Sequence, residues 1–111
     1  GWHQRTLFDA CGGYVLVQCK DWGVPVRAED LHGLCDIMIK TRVRLGIIVA
    51  PTGICGRRDG GQAVREIRRA FDTHGLSMLV IAAEHLNEVA GGANFYDMLE
   101  YLIERVRFNF M

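Results

Sequence analysis

Apolar positions along this chain change period several times, and each change marks an element. Tyr14-Val15-Leu16-Val17-Gln18-Cys19-Lys20 is a β-prone run between Gly12-Gly13 and Asp21-Trp22-Gly23-Val24-Pro25, the pattern of a strand between two turns. Thr6-Leu7-Phe8, ahead of the glycines, is expected to be its antiparallel partner in a hairpin. From Ala28 the period becomes helical: Leu31, Leu34, Cys35, Met38 and Ile39 recur up to about Arg42, behind an acidic first turn of Glu29 and Asp30. Leu45-Gly46-Ile47-Ile48-Val49-Ala50 is a continuous apolar run, as expected of a strand buried on both faces, and Pro51-Thr52-Gly53 stops it. After a loop to about Gly61, Val64, Ile67, Ala70 and Phe71 predict a second helix, with Gly75 as its left-handed cap. Ser77-Met78-Leu79-Val80-Ile81-Ala82 is another buried strand, and a short helix from Glu84 to Ala90 follows. Asn94 predicts the cap of a last helix, with Asp97 three positions on and an apolar stripe of Phe95, Met98, Leu99, Leu102, Ile103 and Val106.

Hairpin, helix, strand, helix, strand, helix is an α/β order, and the helical crossovers make the later strands parallel. At 111 residues, half of them hydrophobic, the chain is expected to be one domain spanning residues 1–111. No run approaches the roughly 18 apolar residues that cross a bilayer. The first residues lack the pattern of a signal peptide, so a soluble, cytoplasmic protein is expected. Cys11, Cys19, Cys35 and Cys55 form no C-x-x-C pair, which leaves them as buried or half-buried free thiols rather than zinc ligands or a disulfide framework. The net charge is zero, yet residues 40 to 69 carry Lys40, Arg42, Arg44, Arg57, Arg58, Arg65, Arg68 and Arg69 against Asp59 and Glu66 alone. A basic middle between acidic flanks is a candidate phosphate-facing surface, although arginines on the wet side of a helix often only solvate it.

Gln18 and Lys20 stand two apart on a strand and so share a face, while the Cys19 side chain between them points away. The order and spacing of Val15-Leu16-Val17-Gln18-Cys19-Lys20-Asp21-Trp22, Pro25-Val26, Gly46-Ile47-Ile48-Val49-Ala50, Thr52-Gly53, Ala63 and Glu84-His85-Leu86 resemble those of Mrr-type nucleases. These belong to the restriction-endonuclease-like (PD-(D/E)XK) superfamily. The resemblance covers about residues 5 to 90, and its sharpest part is Gln18-Cys19-Lys20, similar to the D/E-x-K signature with Gln in place of the acid. It implies a restriction-endonuclease-like mixed sheet flanked by helices, and cleavage of DNA phosphodiesters with Mg2+. The metal would be held by Asp9, by the side chain of Gln18 and by the backbone carbonyl of Cys19, with Lys20 assisting the attacking water. His32 falls where Mrr-type proteins often carry a Gln facing the site, though a histidine on a helix surface is the commoner case.

Hairpin register decides whether Asp9 serves. With Gly12 to Val15 as the turn, Asp9 lies opposite Gln18. With Cys11-Gly12 as the turn, Asp9 faces Tyr14 and stands roughly 13 Å from the triplet at about 3.3 Å per residue. Asp9 is taken as the ligand because otherwise the metal would have no carboxylate. Ala50-Pro51-Thr52-Gly53-Ile54-Cys55-Gly56-Arg57-Arg58 is similar to the phosphate-binding loop of helicases, but Arg57 and Arg58 replace its Lys and Ser/Thr, so a nucleotide cofactor is not expected. The two arginines remain candidates for DNA phosphates. Asp72, His74 and Ser77 bracket a helix end without a nucleophile-elbow pattern, which argues against a hydrolase triad. The chain starts almost inside its first strand, as though the N-terminal helix of the fold were missing. The leading expectation is a metal-dependent DNA endonuclease, dimeric through the C-terminal helix; its alternative is a degenerate domain of the same fold that binds nucleic acid or a partner protein.

Overall fold

The apolar run after Gly13 forms β1 (Val15–Cys19) of a computed structural model that describes residues 13–21, 23–54 and 61–108. It is followed by α1 (Ala28–Thr41), β2 (Leu45–Val49), α2 (Gln62–His74), β3 (Ser77–Ile81), α3 (Ala83–Ala90) and α4 (Phe95–Arg107). The strands pair in the order β1-β2-β3, all parallel, with Val15 beside Leu45, Leu45 beside Ser77, and Cys19, Val49 and Ile81 in line at the far end. The result is an α/β arrangement of a three-stranded parallel sheet and, among the described residues, four helices. A mixed sheet was expected; the described strands are uniformly parallel, because each joins the next through a helix that carries the chain back to the starting end. The proposed antiparallel partner at residues 6–8 lies outside the described residues.

Helix ends follow local chemistry. Gly75 closes α2 at φ 69°, a left-handed turn that glycine adopts without a steric penalty. The Asn94 side chain accepts the Asp97 amide at 3.0 Å and caps α4 as its position predicts. Asp30 accepts the amide of Arg27 at the start of α1, so the acidic first turn serves the helix directly. α1 ends without a glycine, and Arg42 takes the left-handed conformation at φ 60°.

Leu31, Leu34, Cys35 and Met38 form the buried stripe of α1 and join Leu45, Ile47, Ile48, Met78, Leu79 and Ile81 of the sheet in one core. α1 packs on β2 and against α2, and α4 packs on β3 and α2. Met98, Leu99, Ile103 and Val106 are thereby buried within the chain. Four of the six residues in the apolar stripe expected to form a homodimer are thus covered by the chain's own sheet and α2, whereas Phe95 and Phe108 are exposed and Leu102 is half-buried. β1 is different from its neighbours: Val15 and Val17 are exposed, at 38% and 55%, and its far end carries polar groups. No helix among the described residues is long and apolar enough to cross a membrane.

α1 approaches β2 closely at Gly46. A Cβ placed there would stand 2.6 Å from Met38 Sδ and 3.0 Å from Leu34 Cδ2, well inside van der Waals contact. Gly46→Ala is expected to cost about 1 kcal/mol, since the Met38 thioether can swing aside, and Gly46→Val about 3 kcal/mol. Urea unfolding of the two variants tests this; equal stability of wild type and the valine variant would show that α1 does not rest on β2 there.

Candidate functional site

In a parallel βα unit the chain leaves the end of a strand and enters the next helix above it, so strand ends and helix N-termini share one rim of the sheet. Gln18 and Lys20 lie at that rim. The Lys20 amide donates to Val49 O at 2.9 Å and extends the ladder one residue past β1. Along a strand alternate residues present their pairing groups to opposite sides, so Gln18 and Lys20 turn theirs toward β2 and Cys19 turns its N–H and C=O away from it. The Gln18 and Lys20 side chains share the face on which α1 packs, in line with Gly46 and Ile48. Gln18 is exposed and Lys20 is half-buried.

Across the rim, Lys20 Nζ donates to Asp30 Oδ1 at 3.1 Å, with about a quarter of each side chain exposed (26% and 29%). The other oxygen of Asp30 accepts the Arg27 amide at 3.0 Å. The Arg27 amide, and after it the Lys20 ammonium, hold the Asp30 carboxyl below the usual aspartate range against the opposing effect of burial. Sequence reasoning treated Asp30 as a helix-terminal acid and missed its pairing with Lys20. The signal was present: a helix beginning eight residues after Lys20 on the same rim brings its first turn within reach of the strand end.

The loops behind this pair are tied together. Gly23 N–H donates to Thr52 Oγ1 at 3.0 Å and Val26 N–H to Gly53 O at 2.8 Å, with Val26 and Ile54 forming an isolated parallel bridge. The segment after β1 thus lies alongside the segment after β2.

The remaining expected residues fall elsewhere. His32 Nδ1 lies 3.3 Å from Glu66 Oε1 on α2, and its Nε2 lies 3.8 Å from Asp36 Oδ2. It belongs to a polar seam between α1 and α2, two residues around the helix from Asp30, rather than to Lys20. Glu66 is also gripped by Arg69, and that guanidinium first, then His32, holds its carboxyl below the usual glutamate range while burial opposes them. Asp9, Arg57 and Arg58 lie outside the described residues. Of the cysteines described, Cys35 is buried, and burial pushes its thiol up, whereas Cys19 is exposed on the open side of β1. Ser77 is fully buried in the sheet, which removes it as a surface nucleophile.

Several of the described basic residues of the middle segment lie away from this rim or are paired on α2. Lys40 and Arg42 sit at the far end of α1, with Arg44 just before β2, at the opposite end of the sheet from Lys20. Arg68 pairs with Asp72 and lies over the Phe71 ring, and Arg69 pairs with Glu66. Among the described residues no group of three His, Cys, Asp or Glu side chains is placed to hold a metal ion. Gln18 offers a neutral oxygen, and both oxygens of Asp30 are already engaged. The described residues therefore do not by themselves fit a magnesium ion, which would need a free carboxylate such as that expected from Asp9.

Comparison with known proteins gives no match: no protein-family model, no curated protein and no solved structure matches the chain.

The polar seam carries a testable consequence. The Glu66 pKa is depressed in the folded chain, so its contribution to stability is present above the usual glutamate range and is lost as pH falls through the lowered value. Glu66→Gln should therefore cost about 0.5–1 kcal/mol at neutral pH, and its deficit should close at an acidic pH below that lowered value. Urea unfolding at both pH values checks this, and a deficit that stays constant in acid would contradict it.

Proposed function

We propose that this chain is a restriction-endonuclease-like domain that hydrolyses DNA phosphodiester bonds, with Gln18 and Lys20 at the rim of the parallel sheet as its working residues. The observation that carries the reading is the shared face of these two side chains beside the Asp30 carboxylate, with the Lys20 ammonium held 3.1 Å from it. An ammonium has three N–H donors, and the pairing uses one of them. The others can meet the oxygens of a phosphodiester, where a fixed positive charge stabilises the negative charge that builds up as water attacks phosphorus. Gln18, neutral and exposed, can accept a hydrogen bond from that water or donate one to a phosphate oxygen. The Mg2+ ion implied by the resemblance calls on Asp9 with Gln18 and the Cys19 carbonyl. Arg57 and Arg58 are the proposed phosphate contacts outside the rim.

A second reading has its own observation. Both oxygens of Asp30 are occupied and the described residues assemble no metal-binding group, as in a domain of this fold that binds nucleic acid or a partner protein without cutting. Nicking of supercoiled plasmid separates the two. On the first reading the wild-type chain nicks in magnesium and Lys20→Ala abolishes nicking. The thermal midpoint of that variant stays within a few degrees, because a partly exposed ion pair contributes about 1 kcal/mol or less. Retention of DNA by a wild-type chain that never nicks it would favour the second reading, and full nicking by Lys20→Ala would exclude the role given to that lysine.

A further inference from the structure

We infer that Asp30 is the positioning residue for Lys20 in the proposed reaction, an inference that rests on the reading of Lys20 given above. A lysine ammonium is a point charge on a flexible four-carbon stem, so its aim depends on what holds its nitrogen. Asp30 is suited to hold it because it is itself held. It occupies the first turn of α1, its Oδ2 accepts the Arg27 amide at 3.0 Å, and the next residue, Leu31, is fully buried in the core. Its Oδ1 then faces the end of β1 and receives the Lys20 Nζ at 3.1 Å. The ammonium is thus fixed between a strand end and a helix start, both anchored by packing. Gln18 stands on the same face one pleat earlier and brings no charge to compete for it. A carboxylate at Gln18, as in the D/E-x-K pattern, would offer Lys20 a second anion; with glutamine there, Asp30 is the carboxylate that holds the ammonium among the described residues. It touches neither phosphate nor water in this role, and acts through Lys20.

The test uses the full 111-residue chain, which has only two lysines, Lys20 and Lys40. With 15N-labelled lysine, the Nζ–H signal of an ion-paired ammonium is assigned by its loss in Lys20→Ala. Asp30→Asn keeps an oxygen to accept the Arg27 amide and removes the charge that holds Lys20, while Asp30→Glu restores that charge. The expected result is an Lys20 signal seen in wild type and Asp30→Glu but broadened beyond detection in Asp30→Asn. With it should come a fall in kcat for plasmid nicking of about ten- to a hundredfold in Asp30→Asn, KM unchanged within about twofold, and recovery of most of the rate in Asp30→Glu. An unchanged Lys20 signal in Asp30→Asn overturns the inference, as does a lost signal with an unchanged kcat. A rise in KM alone assigns Asp30 to binding and also overturns it. Failure of the underlying reading looks different: the wild-type chain itself does not nick, or Lys20→Ala nicks as wild type does, and the inference falls with it.

Discussion

The close approach of α1 to β2 at Gly46 governs the geometry of the whole rim. With hydrogen in place of a side chain, Leu34 and Met38 come down onto the strand, and the helix is fixed in both height and rotation. Asp30 lies one turn before Leu34, so the same contact that seals the core also sets where the Asp30 carboxylate stands above the end of β1. A bulkier residue at position 46 would raise the helix and carry Asp30 with it. Core packing and the Lys20 pairing are in this sense a single constraint.

The electrostatics of the rim follow from that placement. Asp30 serves two neighbours at once: the Arg27 amide at the start of α1 and the ammonium at the end of β1. Its exposure is partial, so the pairing contributes little to folding stability and its value is orientational. The seam between α1 and α2 is separate in kind. There His32, Glu66 and Arg69 join two helices on the outside of the core, and nothing in their contacts reaches the strand end.

Much of the fold was readable from the residue pattern because it depends on short-range rules. The runs at 45–50 and 77–82, expected as buried strands, became adjacent parallel strands, Gly75 and Asn94 ended and began helices through a left-handed turn and a side-chain cap, and the two-residue spacing of Gln18 and Lys20 put them on one face. What escaped were contacts set by how elements sit on one another. Asp30 looked like a helix-terminal acid because its link to Lys20 depends on the height of α1 over the sheet. His32 was expected either to face the rim or to lie on the helix surface, and its contact with Glu66 of α2 was not foreseen, since helical spacing alone does not say which neighbour a residue meets. The stripe on α4 was apolar in either case, and only the position of β3 and α2 decided that Met98, Leu99, Ile103 and Val106 are covered within the chain.

The bridge between Val26 and Ile54 gives the rim a mechanical linkage. Val26 is fully buried, lies one residue before the cap of α1, and is bonded through its amide to Gly53 O. A load applied to the loop after β2, for instance by a polyanion drawn across it, would reach the start of α1 through that backbone bond and through the Gly23–Thr52 bond beside it. Asp30, the carboxylate that steers Lys20, stands four residues after Val26, so a pull on one loop becomes a change of aim at another.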